Sequence, residues 1–242
     1  GQAGDDRLDA TGYFACDYFN VDPKFGTNEK LKELVDAAHA KGLYVLLDGV
    51  FGHTNLTGVK PSPTGKLPSL RGEEGYPGMY VNYPDAASEA FFTEVATYWV
   101  KEFGIDGWRF DQSYQLPLEA WRNIRAAVEQ ASLDNKNAGK QWGTLGYMVG
   151  EVWKGVDEIT ATTYGSDSQP GLSSAFNFPL RYGLVQALAV EESGASNNAR
   201  VLDAEWNSRA KSPYHAMPNL MLGNHDLVRF GDLIQRGNLG EA

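Results

Sequence analysis

Residues 43–53 read Leu43-Tyr44-Val45-Leu46-Leu47-Asp48-Gly49-Val50-Phe51-Gly52-His53. An apolar run of strand length ends in an aspartate, and a histidine follows five residues later. Upstream, Leu31, Leu34, Val35 and Ala38 fall at helical spacing within Asn28–Lys41, and Lys41-Gly42 supplies a helix stop. The same unit recurs downstream. Ala86–Phe103 carries an apolar stripe of Phe91, Phe92, Val95, Trp99 and Val100 and feeds a strand at Ile105–Asp111. Leu118–Ala131 reads as a helix and Tyr147–Glu151 as a strand; Ser174–Phe178 is a short strand and Leu180–Glu192 a helix. Leu220–Gly223 reads as a final strand. Strands separated by helices call for parallel β/α units.

The strand ends near 48, 111, 151, 178 and 223 lie about 44 residues apart, so a closed eight-unit barrel at that pitch would need about 350 residues. The 242-residue chain holds about five such units. The fold class is therefore read as α/β, a TIM (β/α)8 barrel that is partial, about strands 3 to 7, over residues 1–242. An open, doubly wound five-stranded sheet is the geometric alternative, but no Gly-rich dinucleotide fingerprint or phosphate loop supports it. The rhythm is interrupted at 54–84, which holds Pro61, Pro63, Pro68, Pro77 and Pro84 and shows no clear periodicity. A stretch of this kind at a strand end reads as a short inserted domain with a functional role, the alternative being a surface excursion.

Composition narrows the class. Apolar residues make up 42% and aromatic residues 12%, enough for a packed core. No window approaches a membrane span. The net charge of −10 opposes binding to phosphate backbones, so nucleic acid is not an expected partner, nor is a membrane. The lone Cys16 cannot form an intrachain disulfide. Gly1–Asp6 has neither a basic nor an apolar leader region, so no signal peptide is expected within this chain. Composition fits either compartment, with secretion favoured over the cytoplasm.

Each strand ends in polar residues: Asp48 to His53, then Arg109 and Asp111, then Glu151 with Trp153, then Asn224-His225-Asp226. Parallel β/α folds bind ligands at the carboxyl ends of their strands, so these residues should converge on one rim. Singly, each has a bland explanation: a helix cap, a hydrogen-bonded histidine, a structural ion pair. Four strand ends with one charge pattern weigh against that, because clustered carboxylates are costly to bury. Arg109 and Asp111 are two apart and project to one face. A guanidinium beside it favours the ionised Asp111, which suits nucleophilic attack. Glu151, in an apolar and aromatic setting, is pushed towards its protonated form, which suits a general acid. A charged and a protonated carboxyl roughly 5–6 Å apart form the pair needed for glycoside cleavage with retention.

In order, these four motifs resemble the signature regions of glycoside hydrolase family thirteen, the α-amylase family. Gly12-Tyr13-Phe14-Ala15-Cys16-Asp17-Tyr18 with Asp22–Thr27 is similar to the stretch before its third barrel strand. The resemblance covers nearly the whole chain. It implies a retaining hydrolase of α-1,4-glucosidic bonds in starch or maltooligosaccharides, acting by double displacement. It implies Asp111 as nucleophile, Glu151 as acid and base, and Asp226 as the carboxylate gripping sugar hydroxyls. His53 and His225 would hydrogen-bond the sugar at the cleavage subsite, Arg109 orient Asp111, and Tyr13 form the platform under that sugar. Asp48 is implied as structural support. Trp153 is a candidate to stack on the leaving sugar, or else packs above the barrel. Tyr76, Tyr80 and Tyr83 are candidates to line the cleft or to pack within the insertion.

Two departures stand out. Gly52 replaces the asparagine that helps hold a structural calcium in many members, which puts that site in question. Tyr114 and Gln115 stand where many members carry a Lys-His pair, so the leaving-group side should differ. No cofactor is required for the chemistry. A transglycosylase or an isomerase of α-glucosides would use the same residues. A non-catalytic fragment is the reading of a different class, since an unclosed barrel exposes its edges. The missing strands are expected from the rest of a parent chain or from a partner chain. A metal enzyme built on His53 and His225 is disfavoured, as neither lies in a ligand-spacing motif.

Overall fold

Four apolar runs pair side by side to make a parallel sheet, and their alternation decides what faces the helices and what faces the open rim. The computed structural model describes residues 11–75, 78–189 and 200–236. Helix α1 (Asn28–Ala40) is capped by Thr27, whose side chain accepts from the Lys30 amide. Strand β1 (Leu46–Gly49) follows, then an antiparallel sheet of β2 (His53–Thr54), β3 (Leu70–Gly75) and β4 (Gly78–Val81) in the order β2-β4-β3. Helix α2 (Ala86–Tyr98) starts on Asp85, which accepts from the Ala87 amide. It widens into a π-helical turn at Trp99–Phe103 and stops at Gly104 in the left-handed conformation. Strand β5 (Gly107–Phe110), helix α3 (Leu118–Asn137), strand β6 (Tyr147–Gly150) and strand β7 (Ser174–Ala175) complete the central sheet, ordered β1-β5-β6-β7 and parallel throughout. Between β6 and β7 lie one turn of helix, α4 (Val156–Ile159), and a π-helical stretch, Thr160–Tyr164. Helices α5 (Phe178–Leu188), α6 (Arg200–Ser208) and α7 (Phe230–Arg236) follow.

The core lies between the sheet and helices α2 and α3. Trp108 and Phe110 point to this side. The Trp108 indole donates to the Ala96 carbonyl on α2 at 3.1 Å, and Phe110 packs on Trp121 of α3 with ring centroids 4.5 Å apart. Phe51 joins them, 5.0 Å from Phe110 and 4.8 Å from Phe92. Because β5 alternates, Arg109 is left for the opposite, rim-facing side. The aromatic core and the polar rim are thus two faces of one strand.

Three expectations change. The stretch 54–84, read as a loop, contains strands β3 and β4. Strand β4 pairs back on His53 and Thr54, with His53 opposite Tyr80, and β3 pairs on the other side of β4. Proline and glycine density masked the two short strands. Leu220–Gly223 is not a strand. Pairing with β7 occurs a little earlier, as an isolated parallel bridge between Phe176 and Asn219. Leu220 and Leu222 remain 60% and 50% exposed, without the two covering layers a parallel strand needs. Helix α3 runs to Asn137, beyond Ala131. The far end of the predicted Leu180–Glu192 helix, Tyr76 and the first ten residues lie outside the described residues.

Among the described residues the parallel sheet does not close. Strand β1 has only β5 as a partner, and Leu43, Tyr44 and Leu46 beside it are exposed. This is the middle of a barrel, as the spacing of the strand ends predicted.

At the foot of the sheet, Asp106 is fully buried and holds three elements together. Its carboxylate accepts from the Val45 amide (2.8 Å), the Gly143 amide (2.9 Å) and His39 Nε2 (2.8 Å), and the His39 ring stacks on Trp142. Asp106→Ala leaves three donors, two of them buried, without their acceptor. The expected loss is about 3 kcal/mol or more, read as a lower denaturant midpoint. An unchanged midpoint would show that water takes over the role of the carboxylate.

Candidate active site

The rim is built around Arg109. It sits opposite Asp48 on β1 and Val149 on β6, so its side chain rises between neighbouring strand ends. Nη1 donates to Asp48 Oδ1 and to Asp111 Oδ1, each at 2.8 Å, and Nη2 donates to Glu151 Oε2 at 2.7 Å. Sheet hydrogen bonds carry on just past the strands: Asp111 N–H to Gly49 O (3.0 Å) and Glu151 N–H to Phe110 O (2.8 Å). They fix both carboxyl-bearing residues on the same layer.

Three carboxyls around one guanidinium leave excess negative charge if all ionise, and one is expected to keep its proton. That group is Glu151, whose pKa is pushed up to about 7. Burial is the main cause and a hydrogen bond with Asp111 the next, while Arg109 opposes the shift. Adjacent nitrogens of the one guanidinium gather Glu151 and Asp111 onto the same side of Arg109. Asp48 is also raised, by burial first, with Arg109 acting against it. Arg109 itself is lowered by burial but raised further by its three acidic neighbours, so it stays a cation.

Tyr13 closes the side next to Asp48. Its hydroxyl lies 3.2 Å from Asp48 Oδ2 and 2.8 Å from His225 Nε2, and burial beside Asp48 pushes its pKa up to about 12. Its ring is near-parallel to that of His225. His225 Nε2 in turn lies 3.2 Å from Asp226 Oδ2. Among the described contacts, Asp226 reaches the other carboxyls only through His225 and Tyr13, and its side chain is 41% exposed. The structure thus gathers Asp48, Arg109, Asp111 and Glu151 directly, and Asp226 at the end of a polar chain.

His53 is buried beside Phe14, and its Nδ1 lies 2.9 Å from Gln115 Oε1. Trp153 stacks on Phe178 at 4.7 Å and donates to the Tyr182 hydroxyl at 2.7 Å, leaving its ring 40% exposed. Tyr83 belongs to the core, its hydroxyl bound to the Phe51 carbonyl at 2.9 Å. Between the insertion and the barrel, Arg71, Tyr83, Tyr114, Gln115 and Thr162 line a cleft of about 620 Å³.

Sequence reasoning missed two contributors. Gln112 has a left-handed backbone (φ 41°), and its N–H points to Glu151 Oε2 at 3.3 Å. Nothing in its residue type announces that conformation. Gln115 contributes beyond the leaving-group side. Its side chain packs against Gly52, where a Cβ would lie 2.0 Å from Gln115 Oε1. The space for an asparagine side chain at 52 is filled, so the residues present do not fit the calcium arrangement that such an asparagine serves. Among the described residues no group of three or more His, Cys, Asp and Glu side chains is placed to hold a metal ion.

The sequence model of a family described as "Alpha amylase, catalytic domain" matches residues 4–58 and 80–239, leaving most of the insertion unmatched. The chain is 28% identical to a cyclomaltodextrinase of Geobacillus thermopakistaniensis over 90% of its own length and 38% of the relative's. The solved structure of AmyP in complex with maltose is 51% identical, with a TM-score of 0.87 over 99% of this chain and 48% of that one. The α-amylase of Geobacillus thermoleovorans, solved with acarbose, is 26% identical, with a TM-score of 0.71 over 94% of this chain and 51% of that one. The chain thus spans about two-fifths of the curated relatives it matches and about half of the solved structures.

A pH test follows from Glu151. Its raised pKa means that the fold favours the protonated acid. The stability this contributes is present below pH 4.5 and is lost as pH rises through about 7. Glu151→Gln removes the titration, so the stability gap between variant and wild type should grow in the variant's favour across that window and then level off. Chemical denaturation at several pH values reads it. A gap that stays constant with pH would place the proton elsewhere.

Proposed function

The chain belongs to the α-amylase catalytic-domain family, and on that premise we propose that it carries the catalytic centre of a retaining α-glucan hydrolase. The substrates would be α-1,4-linked glucans such as starch or maltooligosaccharides. The observation that carries this reading is the gathering of Asp111 and Glu151 on one guanidinium, with burial pushing the Glu151 pKa up to about 7.

Each half of the reaction follows from that pair. The proton on Glu151 passes to the glycosidic oxygen of the bound sugar. The bond to the leaving sugar breaks, and Asp111 attacks the anomeric carbon from the opposite face to form a glycosyl ester. The Glu151 carboxylate then takes a proton from water. The resulting hydroxide attacks the same carbon, releases Asp111 and restores the α configuration. Arg109 stays charged throughout and compensates whichever carboxyl is ionised. Tyr13, His53, His225 and Asp226 are assigned to holding the sugar, Trp153 to the leaving-group side and Asp48 to supporting Arg109. This chemistry draws its nucleophile and its proton from side chains alone, with no cofactor. The exposed edge at Leu43–Leu46 and the bare Leu220 and Leu222 are read as seams where further barrel strands join.

The test is product stereochemistry. NMR of the first maltose or glucose released from a maltooligosaccharide should show the α anomer. Asp111→Asn should lower kcat on the order of 10³-fold or more while leaving the fold intact. A β anomer as first product, or an Asp111→Asn enzyme with near-normal turnover, would overturn the reading. Transfer products in place of new reducing ends would reassign the enzyme to the transglycosylases.

A further inference from the structure

Gly52 and Gln115 were two separate departures from the family pattern, yet they are one packing event. Gly52 ends the turn after β1, and Gln115 closes the short 3-10 turn Ser113–Gln115 after β5. A Cβ on residue 52 would meet Gln115 Oε1 at 2.0 Å, Cβ at 2.4 Å and Cδ at 2.8 Å. No side chain fits at 52 while Gln115 keeps its place.

The amide of Gln115 is oriented by its neighbours. Its Nε2 donates to Gln112 Oε1 at 3.0 Å, and the same oxygen accepts from the Tyr114 hydroxyl at 2.8 Å. Gln112 Oε1 is thereby an acceptor from two donors, which commits the Gln115 NH₂ to that side and turns Oε1 towards His53. A carbonyl oxygen only accepts, and His53 Nδ1, 2.9 Å away, is the ring nitrogen placed to donate to it. A neutral His53 then presents an unprotonated Nε2, which has no hydrogen-bond partner among the described residues.

We propose that Gln115 is the positioning residue for His53: it fills the space opened by Gly52, holds the imidazole as the Nδ1–H tautomer, and so makes Nε2 an acceptor for a substrate hydroxyl. The last step rests on the glucan reading above; the tautomer and the pairing do not. The Tyr114–Gln112–Gln115–His53 chain also reaches the acid. The left-handed Gln112 whose side chain anchors Gln115 donates its backbone N–H to Glu151. The histidine and the proton donor are thus set by the two ends of one residue.

The experiment uses the full-length protein with ¹⁵N-labelled histidine. The His53 signal is identified by its loss in His53→Ala. At a pH where the ring is neutral, the wild type should show Nδ1 protonated and Nε2 bare. Gln115→Met keeps the shape but not the acceptor, and should give a mixture of tautomers or Nε2–H. Gln115→Glu, which restores an oxygen acceptor, should return the wild-type tautomer. With maltotriose, kcat/KM should fall about tenfold in Gln115→Met, the scale of one directed hydrogen bond. Gly52→Ala should evict Gln115 and cost the same, and adding it to Gln115→Ala should cost nothing more. An Nε2–H wild type, a Gln115→Met enzyme unchanged in both tautomer and kcat/KM, or losses that multiply in the double variant would each overturn the proposal. If the wild type cleaves no α-glucan, the functional reading fails, and the tautomer still decides this one.

Discussion

One guanidinium sets the geometry and the charge of the whole rim. Arg109 donates to carboxyls from three successive strand ends, and those contacts are what bring Asp111 and Glu151 together. Removing it would leave three acids facing one another in a largely buried space, a costly arrangement for any fold. With it in place, three ionised carboxyls would still leave two excess negative charges. Burial, with Asp111 alongside, pushes the Glu151 pKa up to about 7, which favours keeping a proton there.

Such a cluster needs a rigid base, and strand alternation provides it. Trp108 and Phe110 lock β5 to helices α2 and α3, and the residues between and after them, Arg109 and Asp111, inherit that rigidity on the opposite face. Asp106 does the same at the lower end of the strand, tying Val45, Gly143 and His39 into one buried knot. A sub-ångström shift of Arg109 would have to move an aromatic core in which Phe110 touches Phe51, Trp108 and Trp121 at once. Close packing resists such shifts.

What was legible in the sequence follows from the same physics. Short parallel strands write apolar runs ending in polar residues, so β1, β5 and β6 and their functional ends could be placed. Arg109 and Asp111 could be put on one face from their spacing alone. The limits lie where the controlling interaction is not local. Strands β3 and β4 are hidden because pairing makes them strands, not composition: β4 pairs with His53 and Thr54, and β3 pairs with β4. Leu220–Gly223 has a strand's composition but lacks the neighbours that would cover it. The left-handed Gln112 has no glycine or asparagine to advertise it; side-chain ties to Tyr114 and Gln115 hold it in place.

Gly52 shows how a departure from a family pattern is best read. Taken alone, it is a missing asparagine. Taken with Gln115, it is a rearrangement in which an amide from the β5 end occupies the space that a side chain on the β1 end would have filled. The amide contacts His53 and links it through Gln112 to Glu151. Two elements that the barrel already holds in fixed register thereby exchange a side chain across their junction. Such an exchange is invisible to any reading that scores positions one at a time. It becomes visible only as a steric exclusion, since a single methyl group at residue 52 and the Gln115 side chain cannot share the same space.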